Sequence, residues 1–69
     1  MSGRWGRLAF VAVLKAGFGV KVGQDFYRPQ SDEQVEVIEE LPGGNVRIRM
    51  TTGRWKGASG VAPKRGVQQ

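Results

Sequence analysis

Apolar and polar residues alternate along much of the chain with the two-residue period of β-strands. The clearest case lies past the middle, where Val46, Ile48 and Met50 alternate with Arg47 and Arg49. In an extended chain this pattern places the apolar side chains on one face of a sheet and the arginines on the other. The segment is therefore predicted to be a strand with one buried face.

A second apolar segment, residues 35–41, precedes this strand and is separated from it by Pro42-Gly43-Gly44-Asn45. The glycine pair accommodates the positive φ angles that a tight hairpin turn requires. We therefore predict an antiparallel hairpin over residues 35–52. The register set by a turn at the glycine pair aligns Leu41 with Val46, Glu40 with Arg47 and Val37 with Met50.

This register leaves one conflict in the first strand of the hairpin. It places Glu39 on the apolar face beside Ile48 and turns Ile38 toward the polar face. A β-bulge near Ile38 would restore the alternation, because one extra residue reverses the facing of those that follow. Alternatively, Glu39 lies at the rim of the sheet.

The segments before the hairpin are shorter, and glycines separate them. Residues 8–14 are apolar throughout and fit a strand or a short helix, of which we favour the strand. Residues 17–27 predict a strand followed by a turn, since Val20 and Val22 alternate with Lys21. The following residues, 28–33, predict a polar loop.

After the hairpin, residues 53–57 predict a second turn and a short strand. Residues 58–63 are too interrupted for regular structure beyond one helical turn. The polar residues 64–69 are expected to fray. The chain is accordingly divided into an apolar N-terminal segment at 1–16, which belongs to the same domain, a β-barrel core at 17–63 and a polar tail at 64–69.

Eleven glycines and three prolines punctuate a chain of 69 residues, a spacing typical of turns in a small β-domain. Four to five short antiparallel strands in this length predict a mainly β fold, as a small SH3-like or OB-like barrel. A chain of this size buries only about 60% of the surface that it exposes when unfolded. Self-association or a bound partner would therefore add to its stability.

Three short motifs carry a resemblance to a known family: Val22-Gly23-Gln24, residues 35–41 and Thr52-Gly53-Arg54. Their order, around a long polar loop and a tight hairpin, resembles that of the small SH3-like β-barrel proteins of phages and actinobacteria. The resemblance covers about residues 20–63. It implies a barrel fold, and it implies less about function because many such proteins have no known activity.

Charge is distributed unevenly along the chain, which carries a net charge of +5. All six acidic residues lie at positions 25–40 together with a single arginine, so this acidic window carries −5. The other ten basic residues carry +10. Either they form a surface for a polyanion such as nucleic acid, or the acidic window folds against them and neutralises them locally.

Histidine and cysteine are absent, so the chain lacks the commonest general base, the commonest metal ligand and any thiolate. The neighbouring Glu39 and Glu40 would point to opposite faces of a strand and would not share a site. The glycine-rich residues 17–23 and 52–60 match neither the dinucleotide nor the phosphate-loop spacing. We therefore predict a non-enzymatic binding protein without catalytic, cofactor or metal sites.

Basic and aromatic residues are interleaved in the second strand of the hairpin and beyond it. Cations bind phosphates, and aromatic rings stack on unpaired bases at about 1–3 kcal/mol each. We therefore predict nucleic-acid binding by a barrel face, as in an accessory factor of a phage or plasmid. The predicted binding residues are Arg47, Arg49, Arg54, Trp55, Lys56, Lys64 and Arg65. Trp55 either lies at this surface or fills the core.

The alternative prediction is a protein-interaction module that binds an acidic protein partner or forms a homo-oligomer through its apolar N-terminal strand. An exposed apolar patch around Phe10, Phe18 and Phe26 would mark such a module. The apolar run at 8–14 is too short to span a membrane, and no cleavage site for export follows it. Together with the absence of cysteine, this predicts a cytoplasmic protein without a membrane partner.

Overall fold

The computed structural model describes residues 7–68, with side chains from Phe10 onward. These residues form seven antiparallel strands and one turn of 3₁₀ helix, joined by loops. The strands are β1 (Arg7–Leu14), β2 (Val20–Val22), β3 (Asp25–Tyr27), β4 (Glu33–Leu41), β5 (Asn45–Met50), β6 (Ser59–Pro63) and β7 (Val67–Gln68), and the 3₁₀ turn is Lys64–Gly66. They form one sheet with the order β3-β2-β6-β5-β4-β1-β7. The mainly β prediction is confirmed, with seven strands where four to five were expected, and the sheet is not closed.

The core lies on one face of the sheet, where the alternation in the sequence places its apolar side chains. In β5, Val46, Ile48 and Met50 are buried while Arg47 and Arg49 face outward, as predicted. Among the described residues, the buried core consists of Ala12, Leu14, Val20, Val22, Val35, Val37, Val46, Ile48, Met50 and Ala62, and the side chain of Pro29 is also fully buried. Since each large member contributes about 1.5–3 kcal/mol on burial, this small set is the main stabilising element.

The β4–β5 hairpin is present, but the register predicted for it is wrong. The turn contains three residues, Pro42 to Gly44, because Asn45 already pairs with Leu41. Gly43 and Gly44 supply the positive φ angles, at 84° and 80°. The observed partners are Glu40 with Val46, Glu39 with Arg47, Val37 with Ile48 and Val35 with Met50. The predicted pairs Leu41–Val46, Glu40–Arg47 and Val37–Met50 are therefore replaced.

The bulge predicted near Ile38 is confirmed. The register shifts between Val37 and Glu39, so Ile38 is the extra residue of β4. The bulge places Glu39 on the outer face opposite Arg47 and leaves Val35 and Val37 on the buried face. An acidic residue is thereby kept out of the core without a loss of strand pairing on either side.

The apolar residues 8–14 lie within β1, so the strand prediction is confirmed. This strand pairs with β4, and its register shifts between Arg7 and Phe10, opposite the β4 bulge. Ala12 and Leu14 are buried, whereas Val11 faces outward with 61% of its surface exposed. The strand therefore supplies one face to the core and one to solvent.

The end of the chain is more regular than predicted. Residues 59–63, expected to be irregular, form β6 between β5 and β2. The glycine that interrupts the apolar pattern, Gly60, lies where a Cβ atom would come within 2.7 Å of the Lys21 backbone oxygen. The absence of a side chain at Gly60 therefore allows β2 to approach β6 closely.

The polar tail does not fray over the residues described. Its first three residues form the 3₁₀ turn, and β7 then pairs with Val13 and Leu14 at the end of β1. The Lys15 backbone N–H also donates a hydrogen bond of 2.8 Å to the Gly66 carbonyl. The tail is therefore held by backbone hydrogen bonds to a strand that is distant in sequence. The polar composition of the tail gives no sign of this pairing. Gln69 lies outside the described residues.

A short hairpin, β2–β3, extends the sheet beyond β6. Its turn is Gly23-Gln24, and Gly23 has a φ of 63°. Val20 and Val22 are buried, while Lys21 and Phe26 lie opposite each other on the outer face. This hairpin is the part of the fold that positions the candidate site.

The predicted polar loop after this hairpin is fixed to the β1–β2 loop. Lys15 Nζ lies 2.7 Å from Asp32 Oδ2, and the Ala16 N–H donates to Asp32 Oδ1 at 2.9 Å. These two donors hold the pKa of the Asp32 carboxyl below its usual value, Lys15 contributing most. The Gly17 N–H donates to the Pro29 carbonyl at 3.0 Å. The two loops are therefore joined by hydrogen bonds and an ion pair.

The 3₁₀ turn is the longest helical segment in residues 7–68, and no helix within them has the length or apolar character to cross a membrane.

Candidate nucleic-acid interface

Carboxylates of the acidic window are paired with cations from other parts of the chain. The pairs are Lys15–Asp32 (Nζ to Oδ2, 2.7 Å), Arg49–Glu36 (Nη1 to Oε1, 3.2 Å), Arg47–Glu39 (Nε to Oε1, 3.0 Å) and Lys64–Glu40. Each is at least partly exposed and contributes about 0–1 kcal/mol to stability. Their larger effect is on charge, since four of the six carboxylates are neutralised where they lie.

Three of the seven predicted binding residues are members of these pairs. Arg47 and Arg49 lie on the outer face of β5, but Glu39 and Glu36 lie beside them on β4. Lys64, in the 3₁₀ turn, contacts Glu40 near the end of β4. A phosphate approaching this face would meet a mixture of both signs of charge. The face expected to be basic is therefore close to neutral.

Five described cations have no carboxylate within ion-pair distance among residues 10–68: Lys21, Arg28, Arg54, Lys56 and Arg65. Three of them, Arg54, Lys56 and Arg65, belong to the predicted set. The carboxylates left over in the acidic window are Asp25 and Glu33, so the five cations retain a surplus of three positive charges. We call these residues the unpaired cations.

Each of the three unpaired arginines lies over an aromatic ring. The distances from guanidinium Cζ to ring centroid are 5.8 Å for Arg28 over Phe26, 5.6 Å for Arg54 over Trp55 and 5.8 Å for Arg65 over Phe18. Such contacts contribute about 0.5–1 kcal/mol at exposed sites. We call these three arginines and three rings the arginine–aromatic surface.

Each of the three rings either belongs to residues 18–27 or contacts a residue of that segment. Phe18 belongs to this segment and packs on Gly66, where a Cβ atom would lie 2.5 Å from the Phe18 Cγ. The Phe26 ring covers Gly19, and a Cβ there would lie 2.0 Å from the Phe26 Cζ. Trp55 reaches the same segment through Tyr27, with ring centroids 6.5 Å apart. Phe26 faces outward from the hairpin, whereas Phe18, Tyr27 and Trp55 pack against the core, so the three arginine–ring contacts are distributed around the hairpin.

Trp55 combines the two positions that the sequence left open. Its side chain is half-buried against the core, and Arg54 lies over the ring from outside. The loop that carries it is closed by hydrogen bonds from the Gly57 N–H to the Met50 carbonyl and from the Ala58 N–H to the Trp55 carbonyl. The indole is therefore held in a defined place.

Phe26 is the most exposed large aromatic ring of the described residues, with 65% of its surface accessible. Phe10 and Phe18, predicted to share an apolar patch with it, are instead half-buried against the core. Phe26, Lys21 and Arg28 were not among the predicted binding residues. A hairpin with a two-residue turn at Gly23-Gln24 pairs Lys21 with Phe26. Reading residues 20–27 as such a hairpin would have predicted this pair from the sequence.

Tyr27 ties the hairpin to the start of β4, because its hydroxyl donates a hydrogen bond to the Glu33 carboxylate. This bond is the main reason that the pKa of the phenol is raised; burial and the Glu33 charge act in the same direction. The hydrogen bond fixes the Tyr27 side chain, whose ring packs against Trp55.

The raised pKa can be measured directly, because Tyr27 is the one tyrosine in the chain. In an ultraviolet absorbance titration we expect its pKa above the usual value of about 10, and lower in the variant Glu33→Gln. Because the folded-state value is raised, the stabilisation is complete below about pH 10 and is lost as the pH rises through the folded-state value. An equal pKa in both proteins would contradict the contact.

Comparison of the chain with family models, curated proteins and solved structures finds no match. The binding chemistry of the described residues themselves therefore indicates the function. Among these, no group of three or more side chains of the metal-binding types lies close enough together to hold a metal ion. The arginine–aromatic surface is the arrangement with the clearest binding chemistry.

Proposed function

We propose that this protein is a non-enzymatic nucleic-acid-binding protein whose contacts are made by the arginine–aromatic surface and its flanking lysines. The observation that carries the proposal is the separation of paired from unpaired cations. Cations along β5 are matched by carboxylates of β4, whereas those around residues 18–27 are unmatched and lie beside aromatic rings. A role as an accessory factor of a phage or plasmid is consistent with this chemistry.

The fold proposed for this function is an SH3-like barrel. Its support is the order of the elements: β1, a long connection containing the β2–β3 hairpin, the meander β4–β5–β6, a 3₁₀ turn and a return to β1 by β7. Such small barrels present one face and its loops to a ligand. In this chain the unpaired cations lie in the β2–β3 hairpin and directly after it, in the β5–β6 loop and in the 3₁₀ turn.

The groups of this surface suit the phosphate backbone. An arginine presents several N–H donors in a planar fork that matches phosphate oxygens, and lysine adds a point charge. Each phosphate neutralised releases condensed counterions, so affinity falls with salt in proportion to the number of contacts. An aromatic ring next to such cations adds a contact that a purely anionic ligand cannot use.

Two variants of equal net charge test the proposal. The first, Arg54→Gln with Lys56→Gln, removes two unpaired cations; the second, Arg47→Gln with Arg49→Gln, removes two paired ones. We expect the first to weaken DNA binding strongly and to reduce the slope of log affinity against log salt by about 1.4–1.8. The second is expected to have a clearly smaller effect, because those arginines already have partners.

Binding is measured by fluorescence anisotropy of labelled oligonucleotides over a range of salt concentrations. Circular dichroism and urea unfolding of both variants control for loss of structure. Equal effects of the two variants would show that only net charge matters and would contradict the proposed surface. Absence of binding at low salt would exclude the function itself.

A further inference from the structure

We infer that the nucleic acid bound is single-stranded and that Phe26 is a stacking platform for one unpaired base. The inference rests on the proposed function and makes its ligand more specific. It starts from the placement of an exposed aromatic ring on the outer face of the β2–β3 hairpin. Core packing cannot account for that placement, because the core lies on the opposite face.

The Phe26 ring is exposed and yet fixed in position. Its edge lies against the backbone of Gly19, at a site where no larger residue fits beneath it. The cross-strand partner is Lys21, at a pair position where Cβ atoms are about 4.5–5.5 Å apart. With 65% of the residue accessible, an apolar surface is held open to solvent. A ring ordered in this way can accept a second ring without first losing conformational freedom.

Cations lie on two sides of the ring. Lys21 is opposite it across the hairpin, and the Arg28 guanidinium lies over one face of the ring, 5.8 Å from its centroid, so a base would stack on the other face. Neither forms an ion pair among the described residues. A nucleotide whose base covers Phe26 would therefore have positive charge available for its own phosphate and for the next one. Binding of single strands generally combines stacking with phosphate contacts in this manner.

The same ring has little to offer a duplex. In double-stranded DNA the base faces are covered by their neighbours in the stack, and only backbone and groove edges are accessible. Unpaired bases expose their faces and can stack on aromatic side chains. The unpaired cations can contact either form. Stacking on Phe26 should therefore contribute to the binding of single strands and not to that of duplexes.

The test compares Phe26→Leu with Phe26→Tyr, using a labelled thymidine oligonucleotide and a duplex of equal length. Leucine keeps an apolar side chain over Gly19 but removes the aromatic ring, whereas tyrosine keeps the ring. We expect Phe26→Leu to weaken single-strand binding by about 5- to 150-fold and to weaken duplex binding much less, through the loss of the ring that Arg28 contacts. Phe26→Tyr should bind single strands like the parent protein.

The outcomes distinguish this inference from the function on which it rests. If Phe26→Leu binds single strands as tightly as Phe26→Tyr does, the stacking role is wrong, while the proposed function stands wherever the parent protein binds DNA. If the parent protein binds poly-glutamate but neither form of DNA at low salt, an acidic protein segment is the ligand and both proposals are wrong. Unfolding by urea confirms that both variants fold, as expected for an exposed position.

Discussion

Replacing Ile48 with alanine is expected to lower the free energy of unfolding by about 2–5 kcal/mol. Ile48 is fully buried in the central strand β5, between Val37 of β4 and Gly60 of β6. Its removal leaves a cavity that the two neighbouring strands cannot close without losing their register. A domain of this size has a total stability of about 3–10 kcal/mol, so the change removes a large part of it.

Urea unfolding followed by circular dichroism measures the effect. The conservative variant Ile48→Val removes one methylene group and is expected to lower the free energy of unfolding by about 0.5–1.5 kcal/mol. Val61→Ala, on the outer face of the adjacent strand, should have a smaller effect than Ile48→Ala because Val61 is only half-buried. If Ile48→Ala were no more destabilising than Val61→Ala, the assignment of the core face would be wrong.

Alanine at Gly60 is expected to destabilise the fold by about 1–3 kcal/mol. The added Cβ atom would lie 2.7 Å from both the Lys21 carbonyl oxygen and Val20 Cγ1. Relief requires β2 to move away from β6, which are paired through Lys21 and Val61. Since β2 carries the hairpin with Phe26, we also expect weaker binding of nucleic acid.

It matters whether Gly60→Ala raises or lowers the free energy of unfolding. Where the backbone tolerates it, glycine-to-alanine substitution stabilises a protein by about 0.4–1 kcal/mol, because the unfolded chain loses freedom. A destabilised Gly60→Ala variant would therefore report the collision with β2. The exposed neighbour Ser59→Ala is the control, for which we expect almost no change. A Gly60→Ala protein as stable as the parent would contradict the close approach of the two strands.

Local patterns in the sequence were sufficient to predict the main elements of the fold. Strict alternation identified β5 and its buried face, and the glycine pair located the turn. The conflict at Glu39 predicted either a bulge near Ile38 or a rim position for Glu39, because an acidic residue on the buried face would carry a large desolvation penalty, and the bulge is the one observed. These features depend on neighbours in sequence, and periodicity reports such neighbours directly.

Elements that depend on distant partners were predicted poorly. The strand β6 contains glycine and proline and has no strand pattern of its own, yet it is formed between β5 and β2. The tail is polar and becomes β7 through its pairing with β1. In both cases tertiary context overrides local propensity.

The candidate site was predicted in part for the same reason. Arg54, Trp55 and Lys56 are adjacent in sequence and remain together in the structure. Arg47 and Arg49 were predicted to be available, but a register shifted by the bulge and the three-residue turn sets Glu39 and Glu36 beside them. Phe26 was expected to be exposed only as part of an apolar patch for a protein partner, and its place beside Lys21 and Arg28 was missed because the sequence did not assign β3.

The pairing of β7 with β1 also has a consequence for the order in which the chain folds. Val67 and Leu14 are neighbours in the sheet although most of the chain separates them, whereas β4 and β5 are joined by a three-residue turn and β5 and β6 by an eight-residue loop. Closing a large loop costs more entropy than closing a hairpin, and such contacts slow folding. We therefore expect the meander to form in the rate-limiting step, and β7 to pair with β1 after it.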